Sequence, residues 1–226
     1  MKIRLIAAAL MGLTLAASPL AAKPKAEPVA APVQLSAYVD PDPSHDPENI
    51  LVLDLSNGGR VMIRLMPSWA PGHVERIKLL TRQGFYNGII FHRVIDGFMA
   101  QTGDPTGTGT GGSQMPDLKA EFSYMPHVRG TVSMARTEQP DSANSQFFIV
   151  FYPRFALDHR YTNFGRVIAG IDVVDAVQRG EPPQNPTKIV QASILSDGKA
   201  APVPAPVAAP AMPTISADQL NNSKSN

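Results

Sequence analysis

The sequence predicts a mainly β domain, a closed or nearly closed antiparallel barrel with two helices. Most of its patterned segments are short and alternate with a period of two. Only two segments show helical spacing, and no regular β/α alternation runs along the chain. The patterned part, from Glu48 to Ser196, is about 150 residues, a common size for one domain.

The elements follow in chain order. Ile50 to Leu55 is a β-rich run, Ser56-Asn57-Gly58-Gly59 is turn chemistry, and Val61, Ile63 and Leu65 alternate with Arg60, Met62 and Arg64. Together they predict a hairpin with one wet face. Pro71 opens a segment in which Val74, Ile77 and Leu80 share a face, and Gly84 closes it, which predicts a helix of about three turns. Further strands are expected over Ile89 to Val94, Val128 to Ala135, Gln146 to Phe151, Asn163 to Ile168 and Lys188 to Leu195. A short second helix, Ile171 to Gln178, separates the last two. The strand order is not fixed by these patterns.

The flanks read differently. Lys2 and Arg4 precede an apolar run from Leu5 to Ala17, followed by small residues up to Ala22. This pattern is that of a cleavable secretory signal peptide over residues 1–22, because the run falls short of the roughly 20 residues needed to span a bilayer. A periplasmic or secreted product is expected, with no membrane insertion of the mature chain. Lys23 to Pro47 is rich in Ala and Pro and reads as a linker. Asp197 to Asn226 repeats that composition and ends in a polar run, the signature of a disordered tail.

Composition excludes several chemistries. With no cysteine, there are no disulfides, thiol nucleophiles, Cys-ligated metals or cysteine-linked lipid anchors. Lys and Arg number 20 against 19 Asp and Glu, without any basic block, so a nucleic-acid footprint is absent. The string Gly107-Thr108-Gly109-Thr110-Gly111-Gly112 formally matches a dinucleotide fingerprint. Pro116 follows it and no helical period does, so it reads as a surface loop rather than a phosphate site. No G-x-S-x-G elbow is present, and the histidines at 45, 73, 92, 127 and 159 lack metal-ligand spacing.

Two segments carry more information. The first runs Phe91-His92-Arg93-Val94-Ile95-Asp96-Gly97-Phe98-Met99-Ala100-Gln101-Thr102-Gly103-Asp104, and the second is Ser145-Gln146-Phe147-Phe148-Ile149. With Met134-Ala135, Gly109 to Gly112, Glu121-Phe122, Leu157-Asp158 and Phe164-Gly165-Arg166-Val167, they resemble the cyclophilins over essentially all of Glu48 to Ser196. The resemblance implies an eight-stranded antiparallel closed barrel capped by two helices and peptidyl-prolyl cis-trans isomerase activity. It implies no cofactor or metal. The partners it implies are proline-containing polypeptides, here unfolded or partly folded exported proteins met by a monomer.

The resemblance also assigns residues. Arg93 and Gln101 are implied to be catalytic. Phe98, Met99, Phe148 and Leu157 match the proline pocket, Gln146 a position that orients substrate, and Ala135 and Arg136 a site that meets the peptide backbone. Tyr161 stands on the pocket wall where the eukaryotic type has histidine, and Arg136 where that type has asparagine. Asp96 replaces a frequent proline, and Ala156 the rim tryptophan before the leucine matching Leu157. The chemistry fits these residue types. Rotation about an X-Pro amide crosses a barrier of about 18 to 20 kcal/mol without covalent steps, and the twisted nitrogen regains a lone pair that a fixed guanidinium can bond. The competing expectation is a non-catalytic proline-peptide binding module or holdase chaperone; the intact arginine beside an intact pocket favours the enzyme.

Overall fold

A computed structural model describes residues 36–202. The expected signal peptide, most of the expected linker and the end of the tail lie outside the described residues. Eight strands and two helices run in the order β1 (Ile50–Leu55), β2 (Arg60–Leu65), α1 (Pro71–Arg82), β3 (Arg93–Ile95), β4 (Met99–Thr102), β5 (Thr131–Met134), β6 (Phe147–Val150), β7 (Asn163–Ala169), α2 (Ile171–Asp175) and β8 (Ile189–Ile194).

One antiparallel sheet holds all the strands in the order β3-β4-β6-β5-β7-β2-β1-β8. It is a curled, open half-barrel, which corrects the closed barrel expected from the sequence. Edges β3 and β8 share no ladder. The seam beside them carries the isolated bridges Ile90 with Lys188 and Val94 with Gly180 and a few backbone bonds between residues 88–91 and 187–189, but no continuous pairing of the two strands. The reason lies in the chain itself: β3 is three residues long, and Pro182, Pro183 and Pro186 before β8 bring no N–H to a ladder.

The hairpin, α1, β5, β6 and β8 fall within the segments expected for them, and β7 runs one residue past its own, to Ala169. Two elements differ more. The strand expected over Ile89 to Val94 begins only at Arg93, and β4 was not anticipated, because Gly97 (φ 65°) turns the chain between them. That left-handed turn suits glycine and closes the β3–β4 hairpin. The second helix is also shorter than expected. Arg179 donates through Nη1 to the carbonyls of Asp175 and Val177 at 2.7 and 2.6 Å and so replaces further helical bonds at its end.

The wet face expected for the hairpin is covered in part. All of β1 is buried, and Arg64 of β2 is only 4% exposed. Residues 40–46 lie across it, and its guanidinium donates to the carbonyls of Asp40 (3.2 Å), His45 (2.6 Å) and Asp46 (3.1 Å). A buried cation matched by that many acceptors is tolerated. At the far side of α1, Glu48 accepts from Arg82 at 2.7 Å and from the Ser196 hydroxyl at 2.8 Å, while Arg82 also meets Asp197 at 3.0 Å. Arg82, then Lys78 and Ser196, hold the Glu48 carboxyl well below the usual range.

The interior is filled by residues such as Leu53, Ile63, Ile77, Phe147, Ile149 and Phe164, all fully buried. Strand alternation then sends their neighbours outward. Met99, Phe148 and Val150 form a separate apolar cluster on the other face of the sheet, packed by Ile95, Phe98, Ala135, Leu157 and Tyr161.

Candidate active site

The outer cluster is built on a register. Arg93 of β3 pairs with Gln101 of β4, Gln101 with Phe148 of β6, and Phe148 with Ser133 of β5, so four strands place these residues in one row. Met99 and Ile95 stand in the next row beside Val150. A period of two thus separates a dry core of Val94, Ala100, Ile149 and Val132 from an outward face that carries the chemistry.

A cleft of about 110 Å³ opens on this face, lined by Arg93, Phe98, Met99, Gln101, Ala135, Arg136, Phe148, Leu157 and Tyr161. Nine of the ten residues assigned from the sequence therefore meet in one place. The tenth, Gln146, lines the adjoining wider cleft, which shares Gln101, Ala135 and Arg136 with the first. Met99 and Phe148 are buried at 1% and 4% exposure and form the floor. The Phe148 ring meets Tyr161 edge-on at 5.5 Å between centroids. Leu157 comes from a 3-10 turn, Phe155–Leu157, and Arg154 beside it lies 5.5 Å over the Phe98 ring.

The polar groups are held by one another and by the neighbouring loops. Gln101 donates to the Gln146 side-chain carbonyl at 2.9 Å, and Gln146 donates to the carbonyls of Gly109 and Gly111 at 3.1 and 2.7 Å. The partner of Arg93 is Glu181, whose carboxylate accepts from Nε at 2.7 Å. Arg136 turns its donors inward, to the carbonyls of Arg160, Thr137 and Glu138, and its guanidinium lies 4.8 Å over the Tyr161 ring. It joins two loops into one wall, while the Ala135 N–H is already bonded to the Gln146 carbonyl at 2.9 Å.

Behind the floor lies a constellation that the sequence did not reveal. The Ser133 hydroxyl is 2.8 Å from His127 Nε2, and His127 Nδ1 is 2.8 Å from Asp158. The pattern is that of a nucleophile triad, yet Ser133 is fully buried and no substrate can reach it. The His127 ring instead stacks at 6.5 Å behind Phe148. Burial pushes the imidazole below its ordinary pKa against the pull of Asp158, so it is neutral, with Nδ1–H donating to the carboxylate and Nε2 accepting from the serine.

The glycine-rich loop also has an occupant. The Asp104 carboxylate accepts from the N–H groups of Thr106 (2.7 Å), Thr108 (3.1 Å), Gly109 (2.6 Å) and Gly111 (3.1 Å). The amides that would cradle a phosphate already hold an internal anion, which supports the sequence reading against a phosphate site. The same bonds make this an organised loop rather than a free one.

Residues 50–194 match the family described as cyclophilin type peptidyl-prolyl cis-trans isomerase/CLD, well over half of the chain. The chain belongs to the cyclophilin family. A probable peptidyl-prolyl cis-trans isomerase from Brucella suis is 49% identical over 170 residues, covering 68% of this chain and 86% of that protein. Among solved structures, the cyclophilin AquaCyp293 from Hirschia baltica superposes with a TM-score of 0.63 at 32% identity, over 67% of this chain and 76% of that one. A Cryptosporidium parvum cyclophilin, crystallised in the presence of the dipeptide Ala-Pro, gives a TM-score of 0.60 at 28% identity over 64% and 98%. The protein is a cyclophilin-type isomerase. No helix among the described residues is long and apolar enough to cross a membrane.

Proposed function

We propose that the cleft holds the ring of an X-Pro proline and that Arg93 bonds the prolyl nitrogen as the amide twists. The observation that carries this reading is the position of Arg93 at the edge of an apolar cleft, with both Nη groups free of hydrogen bonds among the described residues. Phe98, Met99, Phe148 and Leu157 exclude water from the ring, and a twisted amide is less polar than a planar one, so the cleft favours the rotating state. The guanidinium stays charged at working pH and gains its bond only when the nitrogen becomes pyramidal, so it stabilises the transition state more than either ground state. No proton transfer is involved. Arg136, fastened to loop carbonyls, shapes the wall between this cleft and the wider one, along which the peptide flanking the proline would run.

The clients we assign are proline-containing segments of exported proteins, met in the periplasm or outside the cell. Lys2, Arg4 and the apolar run to Ala17 support that reading as a signal peptide, with Glu48 to Ser196 as the isomerase domain between proline-rich flanks. The binding-only alternative is separated by one experiment. In a protease-coupled assay on a proline-containing peptide, the wild type should accelerate the slow cis-trans phase and Arg93→Ala should lose most of that rate while still binding peptide. Equal rates for the two proteins would refute the assignment of Arg93.

A further inference from the structure

We propose that Glu181 is a positioning residue for isomerisation: its carboxylate holds the Nε edge of Arg93 so that the two Nη groups face the cleft. The proposal rests on the reading of Arg93 as the donor to the prolyl nitrogen. A guanidinium on a flexible stem has many orientations, and a transition-state bond needs one. Among the described residues, the only hydrogen bond that the Arg93 side chain makes is the one to Glu181 Oε2, at 2.7 Å. Gln101, its register partner, is engaged by Gln146 and does not hold it.

The bond is made at the single Nε–H rather than at the Nη pair. Because the guanidinium is planar, fixing that edge fixes the plane and leaves the fork free. The two side chains are 43% and 50% exposed. An ion pair so open to solvent contributes little to stability, so orientation is the effect left for it to have.

Glu181 is itself carried by a fastened loop. Gly180 exchanges two backbone hydrogen bonds with Val94, the residue after Arg93, at 2.8 and 2.9 Å. Gly180 has φ 141°, and a Cβ there would lie 2.7 Å from the Pro183 Cα, so only glycine fits this close approach. Arg179 on the other side anchors to the carbonyls of Asp175 and Val177 and lies 4.3 Å over the Phe151 ring. The loop thus delivers the carboxylate to the arginine from across the open seam of the sheet.

The test uses the full chain carrying Glu181→Ala or Glu181→Gln, alone and combined with Arg93→Ala, with enzyme raised until the residual rate is measurable. Glu181→Ala should lower kcat at least about fivefold with KM within about twofold and an unchanged melting temperature. Glu181→Gln, whose amide oxygen still accepts from Nε, should recover most of that loss. On the Arg93→Ala background, Glu181→Ala should have no further effect beyond about twofold, and the Nε–Hε resonance of Arg93 should move in Glu181→Ala alone. A Glu181→Ala rate equal to or above wild type, or a proportional loss that persists without Arg93, would overturn the proposal. If activity instead survives Arg93→Ala undiminished, the reading of Arg93 fails first, and the single substitution shows it.

Discussion

His127 is bonded to Asp158 twice, since its backbone N–H and its ring Nδ1 both lie 2.8 Å from the same carboxylate oxygen. Asp158 follows Leu157 directly, so this pair pins the turn that forms one wall of the cleft. The same imidazole stacks behind Phe148, the floor. Removing the carboxylate leaves two buried donors without a partner. Asp158→Ala should therefore cost about 2 kcal/mol of stability. It should also raise KM for peptide, and a melting curve with an isomerase titration checks both.

Stability should fall on acidification. His73, His92 and His127 are buried, and burial before any other cause pushes each below the ordinary histidine pKa. A histidine whose folded pKa is depressed contributes stability that is complete above its unfolded value of about 6.5 and is lost as pH falls through the folded one. The melting temperature should hold between pH 8 and 7 and drop below about 6.5. Replacing His127 with asparagine should flatten part of that drop. A melting temperature constant down to pH 5 would contradict this account.

Asp104 makes a second contribution, in a more acidic window. Burial opposes its ionisation, but the Thr106 hydroxyl and the N–H groups of Thr106, Gly111 and Gly109 outweigh it and hold the pKa down at about 2. Its stabilisation is therefore complete above the unfolded value of about 3.9 and disappears as pH falls through about 2. Asp104→Asn should cost roughly 2 kcal/mol at neutral pH, with the gap from wild type closing between about pH 4 and 2. Denaturant titrations at several pH values measure it.

Arg93→Lys keeps the charge and loses the planar donor. A bond to a charged group is worth about 1.5 to 3 kcal/mol, so the rate should fall about 10- to 100-fold without change in melting temperature. An unchanged rate would remove Arg93 from the reaction.

Cyclosporin, the cyclic peptide that inhibits cyclophilins of the eukaryotic type, should bind weakly. The position of the rim tryptophan is held by Ala156, which is exposed on the 3-10 turn. Without an indole N–H, one buried drug carbonyl goes unpaired at about 1 to 3 kcal/mol, or roughly one to two powers of ten in affinity. Phe155 beside it is 64% exposed and can restore packing but not the bond. Titration into the isomerase assay should show inhibition well above the nanomolar range, and Ala156→Trp should tighten it.

Much of the cleft was legible because Arg93, Met99, Gln101 and Phe148 lie in the short strings that resemble the cyclophilins; the register of β3, β4 and β6 then brings them to one face. The strand β4 was hidden because Phe98 to Thr102 does not alternate and the turn at Gly97 falls inside one string. Contacts between distant segments left no local trace. Arg93 and Glu181 are 88 positions apart, and His127 and Asp158 are 31 apart. Closure failed for a similar reason: whether β3 meets β8 depends on where the prolines of residues 182–186 fall against it, and neither segment records the other.

The clasp of Glu48 with Arg82 and Ser196 puts a residue just ahead of β1 and one just after β8 within one hydrogen bond of each other, close to both ends of the described residues. The topology of this domain is in that sense a ring cut at an arbitrary place. A gene that joins the chain after residue 197 through a linker to Ser36, so that residues 40–46 still cover Arg64, and opens it instead at the exposed segment around Tyr124, would interrupt none of the eight strands. Such a permuted chain keeps β1 and β8 side by side, so circular permutation is a route to moving the ends of the protein without disturbing the row that runs from Arg93 to Ser133.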